Sequence, residues 1–188
     1  MRHVAVWLLM ALTFTSNPLG AEAFGNNALI IPKLGMTFFD VPFLPHKKPW
    51  GLDYQWTFGT AFMQAINYRW WWVAEANMGF GKLSSDQGVY VGALSGGAGV
   101  RYNFLQDDFR PHVGLILHYL HLLGAGVKDL PLNLGWPIFV GLKPYFGLEW
   151  LFYSEMALIL DGAYALYVNI NEPFRQVLYA TLSFAIYF

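Results

Sequence analysis

The feature that most constrains this chain is a period-two alternation of side chains. In residues 178–188 one face carries Leu, Ala, Leu, Phe, Ile and Phe, whereas the other carries Tyr, Thr, Ser, Ala and Tyr. Successive side chains of a β-strand point to opposite faces, so this pattern is typical of a strand between hydrocarbon and a more polar interior. The same alternation recurs in residues 52–62, 68–80 and 96–104.

Eight alternating segments follow one another and predict eight strands. They cover residues 28–40, 51–65, 67–81, 87–104, 109–123, 137–151, 154–169 and 174–188. Each segment is longer than the roughly 9–11 residues that a tilted strand needs to cross a bilayer. Because an unpaired strand edge is costly in lipid, we expect an all-β fold, an eight-stranded antiparallel up-and-down transmembrane β-barrel.

Other classes of protein fit the sequence poorly. After residue 23, no uncharged run reaches the 18 or so residues of a membrane-spanning helix. Charged residues make up only 12% of the chain and the net charge is −1, so we expect no binding of nucleic acid through its phosphates. The absence of cysteine excludes disulfides, a thiolate nucleophile and a cysteine-ligated metal.

The N-terminal segment predicts export. A basic start at residues 1–3 precedes an apolar run over residues 4–14, which is too short to span a bilayer as a helix. Polar and turn residues follow, and then Ala21, Glu22 and Ala23 form a small-x-small cleavage site. We therefore predict a signal peptide over residues 1–23 and a barrel over residues 24–188.

The connections alternate in length, which predicts the orientation of the barrel. Tight connections at residues 66–67, 105–108 and 152–153 are typical of periplasmic turns, and long ones at 41–50 and 124–136 of outer loops. The second long loop is mostly apolar. Because exposed apolar side chains are costly unless covered, this loop predicts a protein or lipid partner.

Several segments resemble the OmpA/OmpX-like small outer-membrane barrels. Residues 99–104 (Gly-Val-Arg-Tyr-Asn-Phe), a polar turn and residues 110–114 (Arg-Pro-His-Val-Gly) are similar to the fourth strand, second periplasmic turn and fifth strand of that group. Residues 147–150 and 156–158 resemble its third turn, and the terminal Phe188 is similar to the C-terminal signal of outer-membrane assembly. The resemblance implies an integral outer-membrane protein of a Gram-negative-type bacterium. Its implied partners are lipid, lipopolysaccharide and, through the C-terminal strand, the barrel assembly machinery.

An eight-stranded barrel is just wide enough for side chains to fill it, so a wide pore is disfavoured. Folding the strands about their turns places two polar rows in the lumen. The row near the periplasmic end contains Arg69, Arg101, His112, Glu149 and Glu155, and the row above it contains Glu75, Ser95, His118, Lys143 and Asp161. Because buried charges are tolerated when they are paired, we expect ion-pair networks that plug the barrel, with Arg101 close to Glu149.

Three functions remain open at this point. The first is a structural or interaction role in the cell envelope, and the second is a narrow path for ions or small solutes, gated by exchange of ion-pair partners. The third is a lipid A-modifying acyl hydrolase built on Ser95, His118 and Glu75, which we do not favour because these residues point into the lumen and the sequence lacks a His-x-Ser-Asn signature.

No metal or cofactor is expected. His118 and His121 face opposite sides of a strand because they are an odd number of residues apart. His112 shares a side with His118 but lies roughly 20 Å from it at the rise of a strand. Neither pair of histidines can therefore chelate one ion.

Overall fold

The computed structural model describes residues 27–39, 52–83, 90–123, 138–169 and 172–188. The predicted signal peptide over residues 1–23 and the predicted loops at 41–50 and 124–136 lie outside the described residues. Among the described residues, no helix has the length and apolar character needed to cross a membrane.

Eight strands form one closed antiparallel barrel in which each strand pairs with its neighbours in sequence and the last pairs with the first. The strands are β1 (Asn27–Phe39), β2 (Leu52–Ala65), β3 (Trp70–Leu83), β4 (Tyr90–Asn103), β5 (Phe109–Leu123), β6 (Ile138–Tyr153), β7 (Met156–Asn169) and β8 (Glu172–Tyr187). The predicted fold class is confirmed, and the predicted strand bounds agree with the observed ones to within three residues. Three short connections, at residues 66–69, 104–108 and 154–155, lie at one end of the barrel, which we call the short-turn end.

The outer face of the barrel is apolar. In the middle of β5, the outward side chains of Leu115 and Leu117 are exposed, whereas the inward side chains of Ile116 and His118 are buried. Large aromatic residues also face outward, among them Trp56, Trp70, Trp72 and Trp150. A continuous apolar surface of this kind is costly in water and is the surface that a bilayer covers.

Strand β1 departs from strict alternation at Pro32. Ile30 pairs with Ala61 but Lys33 pairs with Gly59, so β1 contains one additional residue between these pairs. Proline has no N–H to donate to the sheet, and such a residue is accommodated at a bulge. The bulge turns Lys33 into the lumen, where its side chain is buried.

An apolar cluster lies in the lumen toward the end opposite the short turns, which we call the loop end. This cluster includes Phe39, Val91, Leu120, Leu122 and Phe139, all buried. A second apolar cluster lies nearer the short-turn end and includes Met63, Trp71, Leu151, Ile159 and Tyr187. The charged clusters described below therefore lie among apolar side chains, and the loop-end cluster lies beside two buried polar residues, Gln55 and Arg175.

Candidate functional site: the charged lumen

Near the short-turn end, one carboxylate lies close to two guanidinium groups. Strands β4 and β6 direct Arg101 and Glu149 into the lumen, where they form a buried ion pair. The Nη1 atom of Arg110 lies 3.9 Å from Glu149 Oε1, and the Tyr187 hydroxyl donates a hydrogen bond to the same carboxylate. Arg101 also donates from Nε to Asn103 Oδ1 at 2.7 Å. Glu149 is thus the centre of this cluster.

A histidine and an aspartate meet across an intervening strand. His112 Nε2 lies 2.7 Å from Asp161 Oδ1. Gly147 of β6 pairs with His112 on one side and with Asp161 on the other. A Cβ atom at Gly147 would lie 2.6 Å from His112 Nε2 and would also overlap Asp161 Oδ1. The missing side chain of Gly147 therefore provides the space in which these two groups pair.

Nearer the loop end of the lumen, Glu75 contacts three basic side chains. Lys33 and Lys143 each form an ion pair with its carboxylate, Lys33 with Oε2 and Lys143 with Oε1. His118 Nε2 lies 3.1 Å from Glu75 Oε1. All four residues are buried, so Glu75 supplies the negative charge that two lysines require in a low-dielectric interior.

Glycines also separate the members of this upper cluster. Gly97 pairs with both Glu75 and His118, and Gly141 pairs with both His118 and Tyr167. His118 Nδ1 lies 2.5 Å from the Tyr167 hydroxyl. From β3 to β7, polar side chains and glycines thus alternate in this row, which lets side chains on every second strand reach one another.

Two residues of the predicted lower row do not belong to the network. Arg69 lies in the exposed turn at 66–69, where it donates a hydrogen bond to the Tyr102 hydroxyl at 3.0 Å. This hydrogen bond raises the pKa of the Arg69 guanidinium. Glu155 lies in the exposed turn at 154–155. The prediction failed because it paired Arg69 with Arg101, whereas Arg101 pairs with Trp71 in the barrel.

The structure separates Ser95 from the groups that a catalytic triad would need. Ser95 pairs with Asn77 and Leu120, two positions along β4 from the glycine that adjoins Glu75 and His118. One ring nitrogen of His118 faces the Tyr167 hydroxyl and the other faces Glu75. Neither ring nitrogen is therefore directed at Ser95.

Sequence reasoning missed several members of the site. Strict alternation from Ile30 places Lys33 on the outer face, whereas the bulge at Pro32 places it in the lumen. Tyr179 and Tyr187 lie on the polar face of the last strand, and this was the signal that could have found them. Tyr179 hydrogen bonds to the Tyr167 hydroxyl at 2.6 Å, and so extends the contacts of His118.

Comparisons by sequence alone found no relative: no protein-family model matches the chain, and no curated protein matches it. Comparisons by structure found several proteins with a similar fold. The fold is similar to that of the outer membrane protein OprG from Pseudomonas aeruginosa, with 12% identity, a TM-score of 0.59 and coverage of 88% of this chain and 97% of that chain. It is also similar to Neisserial surface protein A, with 12% identity, a TM-score of 0.55 and coverage of 86% and 96%.

A third similar structure is the Yersinia pestis outer membrane protein Ail in a phospholipid bilayer nanodisc, with 12% identity, a TM-score of 0.50 and coverage of 87% of this chain and 99% of that chain. Identities this low show the fold, and the membrane environment follows from the apolar outer face of this chain itself. The fold and that outer face together make the chain a closed eight-stranded β-barrel with an apolar exterior, and its fold is the one seen in small outer-membrane barrels.

Proposed function

We propose that this chain is a non-conducting envelope protein that acts through its outer surface and loops rather than through its lumen. Its role is structural or interactive, and the loops at residues 41–50 and 124–136 present the contact surface. The proposal rests on one observation, which is that side chains fill the lumen. Charged side chains there bind one another, and a buried cluster that includes Leu120 and Phe139 lies between these pairs and the loop end.

The loop-end cluster supports a closed lumen on physical grounds. Leu120 and Phe139 are buried at the loop end, and Phe139 has no exposed surface. Ions cross a narrow apolar constriction only if water also enters it, and such constrictions close by losing their water. The paired charges below it, such as Arg101 with Glu149, add no open path because each is engaged by a partner.

Contacts at the end of the chain support assembly through the C-terminal strand. Phe188 exchanges two backbone hydrogen bonds with Asn27, at 2.9 and 3.1 Å, so the last residue helps to close the barrel. Its side chain is exposed, as are the other apolar side chains on the outer face of β8. Lipid and lipopolysaccharide are the other partners we propose, on the apolar outer face and at the apolar loop.

Conductance in planar bilayers tests the closed lumen. We expect the wild-type barrel to show no single-channel conductance, because the loop-end cluster excludes water. The double variant Leu120→Ala/Phe139→Ala should stay closed as well, because the paired charges and the second apolar cluster still fill the lumen below the loop-end cluster. A wild-type conductance that Arg101→Met or Glu149→Leu abolishes would support the channel alternative instead.

Cross-linking tests the interaction role. A photoreactive side chain at Trp136, in the apolar loop, should capture a protein or lipopolysaccharide in intact cells. The same group at Lys47, in the other long loop, provides the comparison. Capture of neither partner from Trp136 would contradict the proposed role of this loop.

The enzyme alternative has its own test. Because both ring nitrogens of His118 face other groups, we expect cells that produce this chain to keep an unchanged acylation pattern of lipid A. Mass spectrometry of lipid A measures that pattern. Loss of an acyl chain in these cells, abolished by Ser95→Ala, would overturn the assignment of a non-enzymatic role.

A further inference from the structure

One arginine lies outside the charged lumen, at the short-turn end of the barrel. Arg69 ends the turn at 66–69, and it is the only exposed lysine or arginine among the side chains that the structure describes. The described basic side chains that are buried are Lys33, Arg101, Arg110, Lys143 and Arg175. Neither the filled lumen nor the two long loops give Arg69 a role.

Hydrogen bonds hold the backbone around Arg69 on both sides. Asn67 Oδ1 accepts from the backbone N–H of Arg69 and from that of Trp70, both at 2.9 Å. The carbonyl oxygen of Arg69 accepts from the N–H of Asn103, at the end of β4, at 2.9 Å. The base of the Arg69 side chain is therefore fixed relative to the barrel, and a ligand that binds there orders little additional backbone.

The guanidinium group of Arg69 contacts aromatic side chains and keeps most of its donors. Its central carbon lies over the Tyr68 ring, 5.2 Å from the ring centre, and Nη1 donates to the Tyr102 hydroxyl at 3.0 Å. A guanidinium has five N–H donors. Within the described part of the chain no carboxylate lies within ion-pair distance of Arg69, so its positive charge and its other donors face outward.

Aromatic rings surround this cation at the edge of the lipid-facing surface. The Trp70 and Tyr102 rings meet edge to face at 4.9 Å, and the Tyr102 and Phe104 rings at 5.2 Å. Trp70 and Phe104 are exposed. Tryptophan and tyrosine collect where a bilayer meets water, at the level of the lipid headgroups. Arg69 therefore lies at the level of the phosphates.

The other short turns carry the opposite charge. Asp107 and Asp108 are exposed in the turn at 104–108, and Glu155 is exposed in the turn at 154–155. These carboxylates repel an anionic headgroup, whereas Arg69 attracts one. A guanidinium also matches phosphate geometrically, because two parallel N–H groups can donate to two phosphate oxygens. The charge distribution thus favours one position for an anionic headgroup at this end of the barrel.

We propose that Arg69 binds the phosphate of one bilayer phospholipid, with the rings of Tyr68, Trp70 and Tyr102 against the part of that lipid nearest the phosphate. The site rests on the lipid partner of the proposed function, and it is independent of the closed lumen and of the loops. With the short turns on the periplasmic side, as the connection lengths predict, this lipid belongs to the periplasmic leaflet. The contact fixes the depth of the β2–β3 turn in the membrane.

Solid-state NMR tests the contact directly, because 31P dephases the signal of a 15N-labelled guanidinium that lies against a phosphate. In phosphatidylglycerol vesicles in phosphate-free buffer, the barrel labelled at arginine should show this dephasing, and Arg69→Met should abolish it. Flotation of the vesicles shows separately that the barrel is embedded. An embedded barrel without dephasing would overturn the site and leave the lipid partner of the proposed function intact.

A second sample distinguishes a lipid phosphate from free phosphate. Vesicles of digalactosyldiacylglycerol contain no phosphate, and with inorganic phosphate added to the buffer we expect no dephasing. Dephasing in this sample would show that the site takes phosphate from solution, which contradicts a lipid site.

Variants separate a specific site from a general effect of charge. Native mass spectrometry of the barrel with added phosphatidylglycerol measures the apparent affinity for the lipid. Arg69→Met should weaken it by about fivefold, the contribution of one basic side chain at an anionic membrane surface. Gln106→Glu makes the same change in net charge in another exposed turn and should change the affinity by much less. Equal losses in the two variants would refute the proposal.

Discussion

Removal of the Glu149 carboxylate tests whether pairing holds the charged lumen together. In Glu149→Leu, Arg101 loses its ion-pair partner and the Tyr187 hydroxyl loses its acceptor. Arg110 also loses the carboxylate that lies 3.9 Å away. Loss of one member of a buried ion pair leaves an uncompensated charge and costs about 3–5 kcal/mol. Leucine fills most of the space of glutamate, so this cost is mainly electrostatic.

Equilibrium unfolding in urea measures this cost. The chain contains 8 tryptophans, which provide a fluorescence signal for the folded barrel in detergent micelles. With an m-value of about 2 kcal/mol per molar urea, a loss of about 4 kcal/mol lowers the unfolding midpoint by about 2 M. Glu155→Gln is the matched control, because Glu155 is exposed in a turn and its replacement should change the stability by less than about 0.5 kcal/mol.

A second variant separates charge from packing. Replacement of a buried ion pair by apolar residues of similar size is often neutral, so Arg101→Met/Glu149→Leu should recover the part of the lost stability that comes from Arg101, while Arg110 and Tyr187 still lack the carboxylate. Two results would refute the reasoning. One is a loss in Glu149→Leu no larger than in the Glu155 control, and the other is a double variant no more stable than Glu149→Leu.

Two further predictions concern a lumen glycine and the lipid-facing surface. Gly147→Ala should destabilise the barrel by about 1–3 kcal/mol in urea unfolding, because the new Cβ atom overlaps His112 and Asp161. Gly162→Ala should cost much less, since its Cβ atom would meet only an outward ring that can move, and equal costs would contradict the proposed gap at Gly147. Leu117 is 61% exposed at the middle of β5, so Leu117→Arg should cost about 2–4 kcal/mol in lipid vesicles. A negligible cost there would mean that this face does not contact lipid.

The strands could be predicted because each separates two different environments. Residues 109–123 show this most clearly, since the predicted bounds of this segment and the observed bounds of β5 are identical. Alternation assigns each side chain to one face whatever the pairing partner is. The lumen positions of Arg101, His118 and Glu149 therefore followed from the pattern alone.

Register could not be predicted with the same accuracy. The expected rows placed Arg69 beside Arg101, but the barrel places Trp71 there, a slip of two residues that keeps every side chain on its face. Alternation repeats every two residues and therefore does not distinguish between these pairings. The length and geometry of the turn at 66–69 decide between them, and no periodic pattern encodes that turn.

Local backbone features account for the remaining differences. The bulge at Pro32 places Lys33 inside, although a strict alternation from Ile30 places it outside. Gly97 and Gly147 have no side chains, and sequence reasoning gave them no role, yet they determine which lumen groups meet. As a result, His112 pairs with Asp161, although the two residues were expected in different rows.

Closure between the first and last strands is the claim on which the account depends most, and an engineered disulfide tests it directly. The chain has no cysteine, and Leu34 of β1 pairs with Leu182 of β8 on the outer face. Directly opposed residues of antiparallel strands have Cα atoms about 4.5–5.5 Å apart, within the range of a disulfide.

In the membrane-embedded protein under oxidising conditions, Leu34→Cys/Leu182→Cys should form an intramolecular disulfide. Leu34→Cys/Leu160→Cys should not, because Leu160 lies on β7, one strand farther from β1. Failure of the first pair to cross-link, or equally rapid cross-linking of the second, would contradict a closed barrel with this register.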